Sequence, residues 1–133
     1  MKIITAVGCG LIYLLTFLAN PQDDLAKSMT RGKAIYMESC ITCHLGNGEG
    51  VKGTFPPLAK ADFLLKYPEK SIHAIKFGIK GPIKVNGITY NNAMPPAGLE
   101  NDEIADVMNY IQNSFGNKNP KLVSPKMVEA IKE

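Results

Sequence analysis

The chemistry in this chain is concentrated in five consecutive residues, Cys40-Ile41-Thr42-Cys43-His44. Two thiols three positions apart with an imidazole directly after the second admit four chemistries. A redox-active dithiol would be expected beside a β-α-β pattern, whereas this pair follows a helical stretch and precedes a glycine-rich loop. A structural zinc requires four ligands, and outside this cluster and the leader the chain offers only His73. A plain disulfide leaves His44 without a purpose. Covalent haem attachment uses all three residues: each thiol forms a thioether with a vinyl group on one edge of the porphyrin, and the adjacent histidine reaches the iron.

An iron held by one histidine needs a second ligand or keeps an open position, and methionine thioether is the usual partner in electron-carrying haem proteins. Met29 and Met37 precede the attachment site, Met108 belongs to an apolar helical stripe, and Met127 lies near the C-terminus. Met94 is followed by Pro95 and Pro96 and stands 50 residues beyond His44, far enough to reach the other face of a haem. The two prolines lower the entropy lost on fixing the loop. His73 is a rival ligand, but it falls on a short helical stretch and reads as a surface or partly packed histidine.

The elements that must position these residues follow from pattern and punctuation. Asp24 to about Ser39 reads as a helix capped by Asp23 or Asp24, with Leu25, Met29, Ile35 and Tyr36 at loosely helical spacing. The segment 45–50 is turn material, and Phe55-Pro56-Pro57-Leu58 is incompatible with helix interior. Short helices are expected at Ala59–Lys66 and Ser71–Phe77, the latter stopped by Gly78. Val85-Asn86-Gly87-Ile88 signals a hairpin within Ile83–Tyr90. The strongest helix signal runs from Glu100 to about Phe115, with Ile104, Val107, Met108 and Ile111 on one face. Ser124-Pro125 opens a last short helix to about Ile131.

With these residues in view, the chain resembles class I c-type cytochromes, in particular small bacterial mono-haem domains found alone or fused to oxidases and copper nitrite reductases. The matching pieces are Gly32-x-x-x-Tyr36, Cys-x-x-Cys-His, Phe55-Pro56-Pro57-Leu58-Ala59, Gly81-Pro82-Ile83, Val85-Asn86-Gly87-x-x-Tyr90, Asn92-x-Met94-Pro95-Pro96 and Asn109-Tyr110-Ile111. The resemblance implies an all-α, cytochrome c-like fold of three to four helices around one covalent haem c, with a short hairpin before the axial methionine. It implies a first helix crossing the last, with Gly32 and Tyr36 against Tyr110. It also implies that a carbonyl of Pro56 or Pro57 orients His44, and that Pro57 and Leu58 pack on the haem. Cys40 and Cys43 would then carry the thioethers, with His44 and Met94 as axial ligands.

Length and charge bound the rest. A chain of 133 residues favours one domain. The formal charge of +3 and the lack of a basic run with interleaved aromatics give no case for nucleic acid. Met1-Lys2 followed by the apolar run Ile3–Ala19 has the form of a secretory signal or a retained membrane anchor. Cys9 reads as a residue passing within that segment rather than a lipidation site. The expected organisation is a signal or anchor at 1–19, a linker at 20–26, a haem domain at 27–117 and a tail at 118–133.

The function read from these features is outer-sphere transfer of single electrons, without catalysis, in the periplasm or at the membrane's outer face. Partners would be redox proteins: a respiratory complex or dehydrogenase as donor and a terminal oxidase or reductase as acceptor. Lys52, Lys76, Lys80 and Lys84 could rim the haem edge and steer an acidic partner, or form an ordinary solvated face. Two other readings stay open. One is a haem enzyme or gas sensor with an open sixth position, which would need a distal base and an arginine where the chain has only Arg31. The other is a fixed electron-entry subunit of a larger complex.

Overall fold

The computed structural model describes residues 21–133. The apolar start and Cys9 lie outside the described residues. Along the chain come α1 (Pro21–Ser39), α2 (Ile41–His44), α3 (Asp62–Lys66), α4 (Pro68–Phe77), β1 (Ile83–Val85), β2 (Ile88–Tyr90), α5 (Asn101–Ile111) and α6 (Pro125–Ala130). The fold is all-α apart from the small hairpin. Among the described residues there are six helical segments, more than three or four, because the Cys-x-x-Cys-His run is itself a helical turn and α3 and α6 are similarly short.

Helix α1 begins earlier than the pattern predicts. Asp23 and Asp24 occupy its first turn, where carboxylates oppose the positive end of the helix dipole, rather than its cap. Residues 21–26, expected as a linker, are therefore helix, and Leu25 among them is buried. The buried face also differs from the expected stripe: it runs Leu25, Ser28, Gly32, Tyr36, each three or four residues apart. Small residues hold the middle of that face because α5 crosses there at backbone contact. A Cβ on Gly32 would overlap the Asp106 carbonyl and stand 2.8 Å from Tyr110 Cβ.

Helix α5 is enclosed on almost every side. Ile104 to Asn109 and Ile111 are all buried, because α1 and α6 cover parts of its surface and the ligand cavity described below lies against Val107 and Ile111. The Glu100 N–H donates to Glu103 Oε2 at 2.9 Å, satisfying a donor that the helix start leaves free. The helix stops short of Phe115, which adopts φ 57° with Gly116 at 81° to turn the chain.

Local chemistry sets the remaining boundaries. Lys60 at φ 47° and Ala61 in extended geometry delay α3 to Asp62. Pro68 starts α4, since a first-turn proline loses no helical hydrogen bond. In the hairpin, Val85 pairs with Ile88 across Asn86 (φ 50°) and Gly87 (φ 80°), a two-residue turn whose twist matches the strands. Its tip is fastened to α3 by a reciprocal pair. The Asn86 N–H donates to Asp62 Oδ1 at 2.7 Å, and the Asp62 N–H donates to Asn86 Oδ1 at 3.0 Å.

Residues 118–133 form a strap laid along α5. Asn109 grips Val123 twice: its Nδ2 donates to the Val123 carbonyl at 2.9 Å, and its Oδ1 accepts from the Val123 N–H at 2.8 Å. Ser124 caps α6, accepting from the Met127 N–H at 3.3 Å. Val123 and Val128 are buried. A buried polar chain continues from Asn109 to Ser28 Oγ at 2.8 Å and from Ser28 to Asp106 Oδ1 at 2.6 Å. Arg31 closes it from the surface, with Nη2 2.7 Å from Asp106 Oδ1.

Candidate functional site

A cavity of about 320 Å³ lies between α2, the proline segment, α4, the hairpin and α5. Cys40, Cys43, His44 and Met94 all line it, and Leu58, Leu64, Ile75, Val85, Val107 and Ile111 supply much of its apolar wall. The segments bearing the attachment and ligand candidates, 50 residues apart in sequence, thus meet at one space.

The histidine side rests on local contacts. Helix α2 holds Cys40 and His44 one turn apart, and the His44 N–H bonds to the Cys40 carbonyl at 3.0 Å. The ring Nδ1 lies 3.0 Å from the Pro56 carbonyl. An N–H at Nδ1 donating to that oxygen leaves the Nε2 lone pair for a metal. The orienting carbonyl therefore belongs to Pro56, not Pro57; Pro57 and Leu58 are cavity wall. Desolvation lowers the His44 pKa below the ordinary 6.5, partly opposed by the bond to Pro56, so the ring is neutral at pH 7.

The loop after His44 is folded around glycines and buttressed by aromatics. Leu45 adopts φ 62°, uncommon for a side-chain-bearing residue, and its carbonyl accepts from Tyr36 Oη at 2.6 Å. Burial holds the Tyr36 hydroxyl well above the usual phenol range, so it remains a donor. Tyr36, Tyr110 and Phe115 stack as a trio with centroids 5.2–5.6 Å apart. The Gly48 carbonyl accepts from both Leu58 N–H at 2.7 Å and Ala59 N–H at 2.8 Å, drawing the proline segment over the imidazole.

Met94 is held by main chain. Its N–H and carbonyl each pair with Ile79 at 2.9 Å, and the Ala97 N–H donates to the Ile75 carbonyl at 2.9 Å. Gly78, at φ 82°, permits the approach: a Cβ there would stand 2.7 Å from the Met94 carbonyl. Asn92 Nδ2 donates to the Thr54 carbonyl at 3.1 Å, joining this loop to the proline side. Among the described residues no other methionine lines the cavity; Met108 is buried in the core, and Met37 and Met127 are exposed.

The donors present fit a haem. Cys40 and Cys43 are not joined to each other, and burial pushes the Cys40 thiol up to about 11. Reactive dithiols need the opposite shift. Among the described residues no three His, Cys, Asp or Glu side chains gather as a metal cage. His73 lines a different cleft and packs on Phe77 at 5.1 Å. Arg31 is exposed and engaged with Asp106.

Two features escaped the sequence reading. The bridge from Ile79 to Met94 had no signal beyond Gly78, read only as a helix stop. Lys76, grouped with the rim lysines, is half-buried and turned toward α6, where its Nζ donates to the Val128 carbonyl at 2.9 Å. Lys52, Lys80 and Lys84 are exposed.

The sequence profile of the family described as cytochrome c matches residues 29–115. A cytochrome c-552 of Thermus thermophilus is 38% identical over 115 residues, spanning 82% of this chain and 77% of that protein. The cytochrome c subunit of a quinone alcohol dehydrogenase from Gluconobacter oxydans is 31% identical over 104 residues, covering 76% of this chain but 22% of the subunit. Subunit FixP of a cbb3-type cytochrome c oxidase from Bradyrhizobium diazoefficiens is 31% identical over 107 residues, covering 74% of this chain and 36% of the subunit.

Proposed function

The chain belongs to the cytochrome c family, it carries one covalent haem c and transfers electrons, and we propose that it does so with Cys40 and Cys43 as the thioether residues and His44 and Met94 as axial ligands. One observation carries this reading: all four side chains line one largely apolar cavity, with His44 oriented by Pro56 and Met94 pinned by Ile79. When bound, the haem supplies an iron that alternates between ferrous and ferric states. The protein's part is to keep both ligands in place so that little rearranges on electron transfer. Pro57 and Leu58, which line the cavity, would pack against the haem.

On this reading the chain is a carrier and not an enzyme. The one arginine of the sequence, Arg31, is engaged with Asp106. Residues 27–117 are the haem domain, with 118–133 as its strap. Residues 1–19 act as a signal or anchor that places the domain in the periplasm, free or tethered to the membrane's outer face. Among the described residues no helix is long and apolar enough to cross a membrane. The relatives that are subunits of a dehydrogenase and an oxidase support redox-protein partners of those kinds, either as diffusing partners or in a fixed complex. Electrons would cross at the rim near Cys40 and Cys43, with Lys52, Lys80 and Lys84 available to steer an acidic surface.

Optical spectra of ferric and ferrous protein, with and without carbon monoxide, test the ligand set in wild type and Met94→Ala. The expected wild type is six-coordinate and low-spin, shows the methionine–iron charge-transfer band, and resists carbon monoxide. Met94→Ala loses the band and binds the gas. Ready carbon monoxide binding by the wild type would instead establish an open position and an enzyme or sensor.

A further inference from the structure

Close in sequence to the residues that hold Met94, Lys76 reaches a segment that lies outside the family match. Lys76 Nζ donates to the carbonyls of Val128 at 2.9 Å and Ile131 at 3.1 Å. These acceptors sit at the C-terminal end of α6, where a cation is favoured; the Val128 carbonyl also accepts from the Ile131 N–H at 3.2 Å. Helix α6 is itself anchored, through the buried Val128 and the double grip of Asn109 on Val123. Lys76 therefore ties the last turn of α4 to α5 by way of the strap. Three residues on, Ile79 makes both main-chain bonds to Met94, and one residue before Lys76, Ile75 accepts from Ala97. The segment 75–79 thus faces the strap through Lys76 and the methionine loop through its backbone.

We propose that Lys76 and the strap 118–133 are positioning elements for Met94, holding the thioether in place by immobilising the end of α4. The inference rests on Met94 being an axial ligand. A thioether is a neutral, weak donor, so its hold on the iron follows the order of the loop that presents it. Releasing Lys76 frees the α4 end, lets Ile79 and Met94 move together, and lowers the cost of exchanging Met94 for an external ligand.

The test is titration of the full-length ferric holoprotein with imidazole, following loss of the methionine–iron band, alongside thermal unfolding by far-UV circular dichroism. Lys76→Met is expected to bind imidazole about tenfold more tightly than wild type, as losing two charged hydrogen bonds implies. Lys76→Arg keeps the charge and donors and should return the affinity to within about threefold. Ser124→Ala loosens the strap at its cap and should move the affinity about two- to threefold in the same direction. It remains informative if Lys76→Met does not fold.

A fall in thermal midpoint with imidazole affinity unchanged in the folded variants would overturn the proposal and leave Lys76 a purely structural residue. Absence of the band in wild type would remove the ligand assignment and the proposal with it. A band present in wild type and indifferent to the strap would sink the proposal alone.

Discussion

Gly32→Ala sets two physical effects against each other. In an exposed helix interior, alanine is favoured over glycine by about 1 kcal/mol, so helix propensity predicts a more stable protein. The packing of α1 on α5 predicts the reverse. The added Cβ would overlap the Asp106 carbonyl and lie 2.8 Å from Tyr110 Cβ. A backbone carbonyl cannot rotate away as a flexible side chain can, so the helices must separate. Overpacking of this kind costs about 1–3 kcal/mol, and main-chain overlap places this site at the upper end. Subtracting the propensity gain leaves a net loss of about 2 kcal/mol, or roughly 8–10 °C in midpoint for a domain of this size. Thermal unfolding of the holoprotein by far-UV circular dichroism reads the difference. Gly46, whose added Cβ would meet nothing within 4 Å, supplies the comparison, and Gly46→Ala should stay within about 0.5 kcal/mol of wild type. A Gly32→Ala protein as stable as wild type, or more so, would refute the claim that backbone contact governs this crossing.

Three further outcomes are expected. Tyr36→Phe removes the bond to the Leu45 carbonyl and should cost about 1 kcal/mol in urea unfolding; an unchanged midpoint would show that Leu45 holds its φ unaided. Asp106→Ala strips partners from Ser28 and Arg31 and should cost about 2 kcal/mol, whereas Arg31→Ala, at the exposed end of the pair, should cost less than about 1 kcal/mol. Equal losses would contradict a core organised on the carboxylate. The Asn86 N–H holds the Asp62 carboxyl below its ordinary 3.8, helped by the Phe63 N–H and by Lys66. Because the folded value is the lower one, its contribution is complete above about pH 4 and disappears as pH falls through the folded value. Melting temperatures measured downward from pH 5 should therefore drop less steeply for Asp62→Asn than for wild type.

Much of the site was legible because its chemistry is local in sequence. Cys40, Cys43 and His44 fall within five residues, Asn86-Gly87 is a local turn signal, and Pro95 and Pro96 mark the Met94 loop. Gly32 and Tyr36 at one-turn spacing were legible through family resemblance. The departures arise where distant segments decide. The buried face of α1 runs through Ser28 and Gly32 because of how closely α5 passes, which apolar spacing cannot express. A lysine pattern does not reveal that Lys76 ends on carbonyls 52 and 55 residues away. Ile79 looked like any apolar residue after a helix stop. Pro56 and Pro57 are equivalent as letters and separate only when one carbonyl meets the imidazole.

The two sides of the cavity differ in how much chain must close to make them. Tyr36 to Leu45 and His44 to Pro56 span 9 and 12 residues. On the other side Ile79 meets Met94 across 15, Ile75 meets Ala97 across 22, and Asn92 reaches Thr54 across 38. Short loops lose less entropy on closure and form sooner. The attachment turn and its proline brace are thus expected to order early in folding, offering both thiols on a preset turn while the methionine wall is still open.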